Sequence, residues 1–181
     1  MKVTTLSIPE VLLIEPKVFT DDRGLFFESF NQRTFEKETG LSPIFVQENF
    51  SKSTKGVLRG LHYQLPPKAQ DKLVYVAQGE VFDVVVDIRK KSPTYRQWSG
   101  EILTGKNKKQ LWIPAGIAHG FLVLSETAEF FYKTTNYYDQ DYERSILWND
   151  PDIKIDWPTI NEPLLSDRDR QAELLNNAEH F

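Results

Sequence analysis

The chain has 181 residues, and its 22 Lys+Arg against 26 Asp+Glu leave a formal net charge of −4 at pH 7, which argues against holding nucleic acid by bulk charge. The absence of cysteine excludes disulfides, thiolate catalysis and cysteine-bound zinc or iron–sulfur centres. No apolar run approaches the roughly 20 residues of a membrane span, and the start, Met1-Lys2-Val3-Thr4-Thr5-Leu6, lacks a secretory apolar core; a cytoplasmic, globular protein of one domain is the expectation.

Aromatic residues make up 13% of the chain, an excess that favours strands. In chain order, short strand-like segments fall at Val11–Ile14, Leu25–Phe30, Ile44–Ser51, Val57–Gln64, Leu73–Ala77, Val81–Ile88, Trp98–Leu103, Gln110–Ile113, Gly120–Leu124 and Ala128–Thr135. Turn residues such as Asp22-Arg23-Gly24, Pro66-Pro67, Gln78-Gly79 and Gly105-Lys106-Asn107 punctuate them. Strands about 8–12 residues apart with no regular helical interludes predict a β-sandwich or barrel. Two short helices are expected, Arg33–Thr39 opened by Asn31, and Asp167–Asn176 opened by Ser166 with Asp167 and Asp169 in its first turn. The C-terminal segment, about 160–181, is expected to pack its short helix against the barrel.

Alternation sorts the side chains. In Val81–Ile88, Phe82, Val84, Val86 and Ile88 form an apolar face, and Val81, Asp83, Val85 and Asp87 form the other. The strand is therefore expected to be buried on both sides, with Asp83 in a pocket. In Val57–Gln64, Leu58, His62 and Gln64 share a face and Arg59 points the other way, with Gly60 marking a bulge between them.

Of three histidines, His180 is penultimate and expected to fray. His62 sits in Arg59-Gly60-Leu61-His62-Tyr63-Gln64, a cation and an imidazole within six residues of strand. Histidine is the usual general base near neutral pH, although an isolated strand histidine is more often structural. His119 ends Pro114-Ala115-Gly116-Ile117-Ala118-His119, a turn feeding a strand. This Pro-x-Gly-x-x-His pattern resembles the second motif of the cupins, small jelly-roll barrels. The first cupin motif carries a His-x-His, where this chain has His62-Tyr63-Gln64, so the set of three or more convergent ligands of a transition-metal site is not formed. Tyr132 shares a face with Phe130 and Thr134, a lining suited to a sugar. By residue type alone, Lys72 and Arg23 read as solvated, and Glu28, between Phe26 and Phe30, reads as edge protection or as part of a binding surface.

Asp22-Arg23-Gly24-Leu25-Phe26-Phe27-Glu28-Ser29-Phe30, Gln47-Glu48-Asn49-Phe50-Ser51, Gly56 through Gln64, Lys72-Leu73-Val74, Pro114 through Phe121, Tyr132-Lys133-Thr134 and Trp148-Asn149-Asp150-Pro151 stand in that order. In this the chain resembles the dTDP-4-dehydrorhamnose 3,5-epimerases, from about residue 8 to residue 170. The resemblance implies a mainly β fold, a cupin-type jelly-roll β-barrel with short peripheral helices. It also implies a homodimer that uses no metal and no other cofactor. The implied reaction inverts C3 and C5 of dTDP-4-dehydro-6-deoxy-D-glucose, by taking protons alpha to the C4 ketone. His62 is then the base, paired with Asp169; Lys72, with His119 nearby, stabilises the enolate; Tyr132 returns the proton from the opposite face. Asp83 belongs to the same polar lining. Arg23, Arg59 and Arg168 pair with the diphosphate. Glu28, Gln47, Glu48, Asn49 and Glu143 match ligand-contacting positions, and Phe26 stacks on thymine. Arg23, Phe26 and Glu28 act on the neighbouring subunit's pocket. At 168 the family commonly has lysine, and the fork geometry of arginine differs. Three other readings stay open: an epimerase of one carbon or of another nucleotide's keto sugar, a non-catalytic sugar-nucleotide-binding cupin, and a metal-dependent cupin oxygenase.

Overall fold

A computed structural model describes residues 1–158 and 162–181. Ile160 and Asn161, which open the expected C-terminal segment, lie outside the described residues. The strands are β1 (Lys2–Thr5), β2 (Leu12–Glu15), β3 (Phe19–Asp21), β4 (Gly24–Phe26), β5 (Gln47–Thr54), β6 (Leu58–Gln64), β7 (Lys72–Gln78), β8 (Glu80–Asp87), β9 (Trp98–Thr104), β10 (Gln110–Ile113), β11 (Ile117–Val123), β12 (Thr127–Thr134) and β13 (Glu143–Ser145). The helices are α1 (Gln32–Thr39) and α2 (Asp167–Arg170).

Two antiparallel sheets face each other. A six-stranded sheet runs β1-β2-β10-β7-β12-β5, a five-stranded sheet runs β13-β6-β11-β8-β9, and β3-β4 is a separate hairpin. The fold is mainly β and of the jelly-roll type; among the described residues no ladder joins the two sheets into a closed barrel. Alternation gives each sheet an inner and an outer face. Val74, Val76, Val81, Val85, Leu111, Phe121 and Phe130 meet between the sheets. The outer face of the five-stranded sheet is also buried: Val84, Val86, Ile88, Leu61 and Tyr63 pack against Ile146, Ile153, Leu175 and Ala178. β8 is thus covered on both sides, as its composition predicts. Its acid-bearing face is the one turned inward.

The outer face of the six-stranded sheet takes α1 through Phe35, Leu73 and Trp112. Asn31 caps this helix, its side chain accepting from the Thr34 amide at 3.1 Å, and Gly40 ends it with φ 72°, a left-handed conformation that costs glycine nothing. The expected strand Leu25–Phe30 shortens to Gly24–Phe26, because Phe30 turns away to pack under α1 and the Ser29 carbonyl accepts from Gln110 Nε2 at 2.7 Å.

The C-terminal helix starts at Ser166 as expected, but it stops at Arg170 rather than Asn176. The reason is tertiary. The Leu175 amide donates to Asp150 Oδ2 at 2.7 Å and the Glu173 carbonyl accepts from the Leu147 amide at 2.8 Å, so these groups are not available to a helix. His180 does not fray: its Nε2 pairs with Tyr95 Oη at 2.9 Å, and the rings stack. No helix among the described residues is long and apolar enough to cross a membrane.

Candidate active site

Polar side chains line a cavity of ≈ 360 Å³ between the sheets, with Asn49, Arg59, His62, Lys72, His119, Tyr132 and Glu143 on its walls. The five-stranded sheet supplies Arg59 and His62 from β6, His119 from β11 and Glu143 from β13. The six-stranded sheet supplies Asn49 from β5, Lys72 from β7 and Tyr132 from β12. Phe121 and Phe130, stacked at 4.2 Å between centroids, close the apolar end.

Arg59 shares the cavity with His62, although strict alternation turns it away. A register shift in the β6–β11 ladder pairs His62 with His119 but Arg59 with Phe121. Gly60 sits at the bulge with φ 130°. A Cβ there would lie 2.5 Å from Gly120 Cα, and one on Gly120 would lie 2.8 Å from the Arg59 carbonyl oxygen. Two glycines back to back thus permit the bulge that brings both side chains inward. Arg59 Nε donates to Ser53 Oγ at 3.1 Å, which leaves the terminal nitrogens to face the cavity.

His62 Nε2 lies 2.5 Å from Asp169 Oδ1. A carboxylate only accepts, so Nε2 carries the shared proton, and in the neutral ring the lone pair is on Nδ1. The His62 side chain is 29% exposed and that of Asp169 is 4% exposed: the ring is open to a ligand while its partner is hidden. Burial alone would raise the Asp169 carboxyl, but hydrogen bonds from His62, Ser166 and the Gly60 amide, with the positive charge of the imidazole when it is protonated, hold it below the usual range. Ser166, which caps α2, also donates from Oγ to Asp169 Oδ2 at 2.8 Å. The cap was legible in the sequence; its second task was not.

The other histidine is built likewise. His119 Nε2 lies 2.9 Å and 3.1 Å from the two carboxylate oxygens of Asp83. Asp83 is wholly buried behind His119 rather than in the cavity wall itself. Burial pushes its carboxyl up, against the opposing pull of His119 and Lys72.

Lys72 is buried, contrary to its residue-type expectation, and its Nζ donates to the His62 carbonyl at 3.4 Å. Burial brings its ammonium down to about 8, with Glu143 and Asp83 acting the other way. For Tyr132, burial and then the neighbouring Glu143 raise the phenol, with Arg59 opposing. The phenol therefore stays protonated at neutral pH.

Several sequence-predicted residues lie elsewhere. Gln47 is on the inward face of β5 and bonds Asn49 Oδ1 from Nε2 at 2.9 Å. Glu48, one residue on, faces outward to an ion pair with Lys133 at 2.9 Å, so alternation takes it out of the cavity. Arg168 pairs with Glu143 at the rim. Arg23, Phe26 and Glu28 do not reach this chain's own cavity. Arg23 pairs with Asp21 on the β3–β4 hairpin with its side chain 90% exposed, Phe26 is 67% exposed, and Glu28 accepts from Asn31 Nδ2 at 3.0 Å. Ser51 and Tyr138 line the cavity without having been singled out in the sequence. The alternation Gln47, Asn49, Ser51, Ser53 would have found the first, whereas no local signal marks Tyr138. Among the described residues no group of three or more His, Asp or Glu is placed to hold a metal ion.

A jelly roll with an oriented imidazole on one wall and a buried cation and phenol on the other defines a class of proton-transfer enzyme acting on a small polar ligand. The family model described as dTDP-4-dehydrorhamnose 3,5-epimerase matches residues 5–177. Over 181 residues, the chain is 59% identical to the dTDP-4-dehydrorhamnose 3,5-epimerase of Pseudomonas aeruginosa, covering 100% of this chain and 99% of that one. Its likeness to the Salmonella typhimurium enzyme of the same name is 60% over 178 residues, covering 98% and 97%. A crystal structure of the Legionella pneumophila dTDP-6-deoxy-D-glucose-3,5-epimerase in complex with dTDP-4-keto-L-rhamnose superposes with a TM-score of 0.95 at 52% identity, over 98% of this chain and 94% of that one. A 3'-monoepimerase of Streptomyces bikiniensis in complex with dTDP-quinovose gives 0.90 at 35%, over 95% and 87%. The chain belongs to the dTDP-4-dehydrorhamnose 3,5-epimerase family.

Proposed function

We propose that this chain is an isomerase that inverts C3 and C5 of dTDP-4-dehydro-6-deoxy-D-glucose to give dTDP-4-dehydro-L-rhamnose. The observation that carries this reading is the division of labour between the walls: His62, held by Asp169, belongs to one sheet, and Lys72 and Tyr132 belong to the other. The C4 ketone of the substrate acidifies the hydrogens at both C3 and C5. His62 Nδ1 takes one such proton, and the electron pair of the broken C–H bond moves onto the ketone oxygen. The Lys72 ammonium, with His119 behind it, stabilises that oxyanion in a site shielded from water. The Tyr132 hydroxyl then gives its proton to the opposite face of the carbon. His62 releases its proton and Tyr132 regains one before the second carbon is inverted. The acidity comes from the substrate's own ketone, so the sequence of steps draws on no redox cofactor and no metal.

Arg59 and Arg168 take diphosphate oxygens, and Gln47, Asn49 and Glu143 contact the ligand. Arg23, Phe26 and Glu28 are offered to a second copy, in a homodimer where the hairpin of one subunit completes the pocket of the other. Exposure of Phe19, Leu25 and Phe26 on that hairpin, each more than half accessible, supports this. Residues 1–181 then form one cupin-like domain with its C-terminal segment laid over the barrel, and the protein works in the cytoplasm.

The test is turnover in D₂O. Deuterium is expected at both C3 and C5, with both signals lost in His62→Ala. Absence of exchange at either carbon in the unaltered protein overturns the reading. Label at one carbon alone would instead favour the single-carbon epimerase, a reading supported by the likeness to a 3'-monoepimerase.

A further inference from the structure

Asp71 immediately precedes Lys72 and is bound on three sides. Its Oδ1 accepts from the Ala115 amide at 2.8 Å, and its Oδ2 accepts from Thr135 Oγ1 at 3.2 Å. Its own amide donates to Thr135 Oγ1 at 2.9 Å, and its carbonyl accepts from the Thr135 amide at 3.1 Å. Thr135 follows β12, three residues beyond Tyr132. Ala115 lies in the turn that carries the chain from β10 in the six-stranded sheet to β11 in the five-stranded sheet, four residues before His119. One carboxylate therefore fastens the ends of two strands bearing Lys72 and Tyr132 to the turn that leads into the opposite wall.

We propose that Asp71 is a positioning residue that sets the gap between the two walls of the cavity. This rests on the reading above, in which base and acid address opposite faces of one sugar ring. Within each sheet the backbone ladder already fixes the register of the strands, so the quantity left to fix is the spacing between sheets. Between the cavity-lining Gln70 and Lys72, Asp71 is a side chain that spans from the strand ends to the crossing turn. Gln70 ties the same two strand ends to each other, Nε2 donating to the Asn136 carbonyl at 2.8 Å, and leaves the crossing to Asp71.

A misplaced acid wall has a signature distinct from lost folding. After His62 has taken the proton, it can exchange that proton with solvent and return a deuteron to the same face. The C–H bond becomes C–D with no inversion. Inversion requires the Tyr132 hydroxyl to reach the other face, so widening the gap favours same-face return. Turnover in D₂O, followed by NMR of both recovered substrate and product, reads the ratio of exchange without inversion to inversion. For Asp71→Ala, inversion is expected to fall on the order of 10²-fold, with exchange falling less, so that the ratio rises. Thr135→Val removes the hydroxyl arm with little change of shape and should move the ratio the same way, by less; it keeps the proposal testable should Asp71→Ala fail to fold. Asp71→Asn keeps an acceptor for the Ala115 amide and a polar partner for Thr135, and should restore a ratio near that of the unaltered protein. An unmoved ratio in both Asp71→Ala and Thr135→Val, whether rates hold or fall together with the folded fraction, overturns the proposal alone. Absence of exchange and inversion in the unaltered protein overturns the functional reading and this proposal with it.

Discussion

The two walls of the cavity set the state of their titratable groups by different means. On the five-stranded side each histidine has a carboxylate behind it, Asp169 for His62 and Asp83 for His119. On the six-stranded side Lys72 and Tyr132 have no such partner in hydrogen-bond contact among the described residues, and burial is the largest influence on both. A carboxylate fixes a tautomer and a ring orientation. Desolvation fixes neither, but it shifts the balance between charged and neutral forms. A base needs a directed lone pair, whereas an oxyanion stabiliser needs charge in a dry place. In the proposed roles the carboxylate suits the base, while burial strengthens the hold of the Lys72 charge on an oxyanion and at the same time draws the ammonium toward its neutral form.

The largest effect expected from breaking this contrast is at His62. His62→Ala should lower kcat by about 10²–10⁴-fold, and deuterium should vanish from both carbons. Tyr132→Phe removes the acid alone. Inversion should fall by about 10²-fold while same-face exchange persists, which NMR of recovered substrate would show; loss of exchange as well would contradict the separation of roles. Lys72→Met should cost about 10²–10³ in kcat and change two pH dependences. In the unaltered protein kcat should decline as pH rises through about 8, where the ammonium is lost. The folded value lies below the ordinary 10.5, so the unfolded chain binds more protons between the two. The burial penalty is thus fully present below pH 8, and stability should rise with pH across that window. Urea midpoints for Lys72→Met should lack this rise.

Two stability effects are smaller in consequence. Gly60→Ala forces a Cβ against Gly120 Cα at a positive φ, and should cost about 1–3 kcal/mol, measured by denaturant titration, with a further loss of ligand affinity if Arg59 swings out. Asp169 is depressed in the folded state. Its pairing contributes stability above the ordinary carboxylate value and loses it as pH falls through the folded one. The acid limb of the stability curve should therefore flatten in Asp169→Asn.

Much of this was legible in the sequence because its signals are local. Asn31 opens α1, the alternation of Val81–Ile88 marks a doubly covered strand, and the Pro114–His119 turn delivers a histidine. The family resemblance placed His62, Lys72, Tyr132 and Asp169, and the structure brings all four to one site. What was hidden depends on contacts between distant segments. Arg59 faces inward because Gly60 meets Gly120 across a ladder, a coincidence that neither segment reveals alone. The helix at Asp167 ends early because Asp150, far away in sequence, captures the Leu175 amide. β13 is too short to announce itself, with Glu143–Ser145 forming only against β6. Lys72 reads as solvated until both sheets are assembled around it.

The 107-residue separation between His62 and Asp169 also has a consequence for how activity arises during synthesis. A nascent chain can assemble both walls while the stretch bearing Asp169 is still inside the ribosome. Such an intermediate would hold ligand-binding groups around an imidazole free to spin. Catalytic competence would then switch on late, when the tail docks, rather than growing in step with the fold.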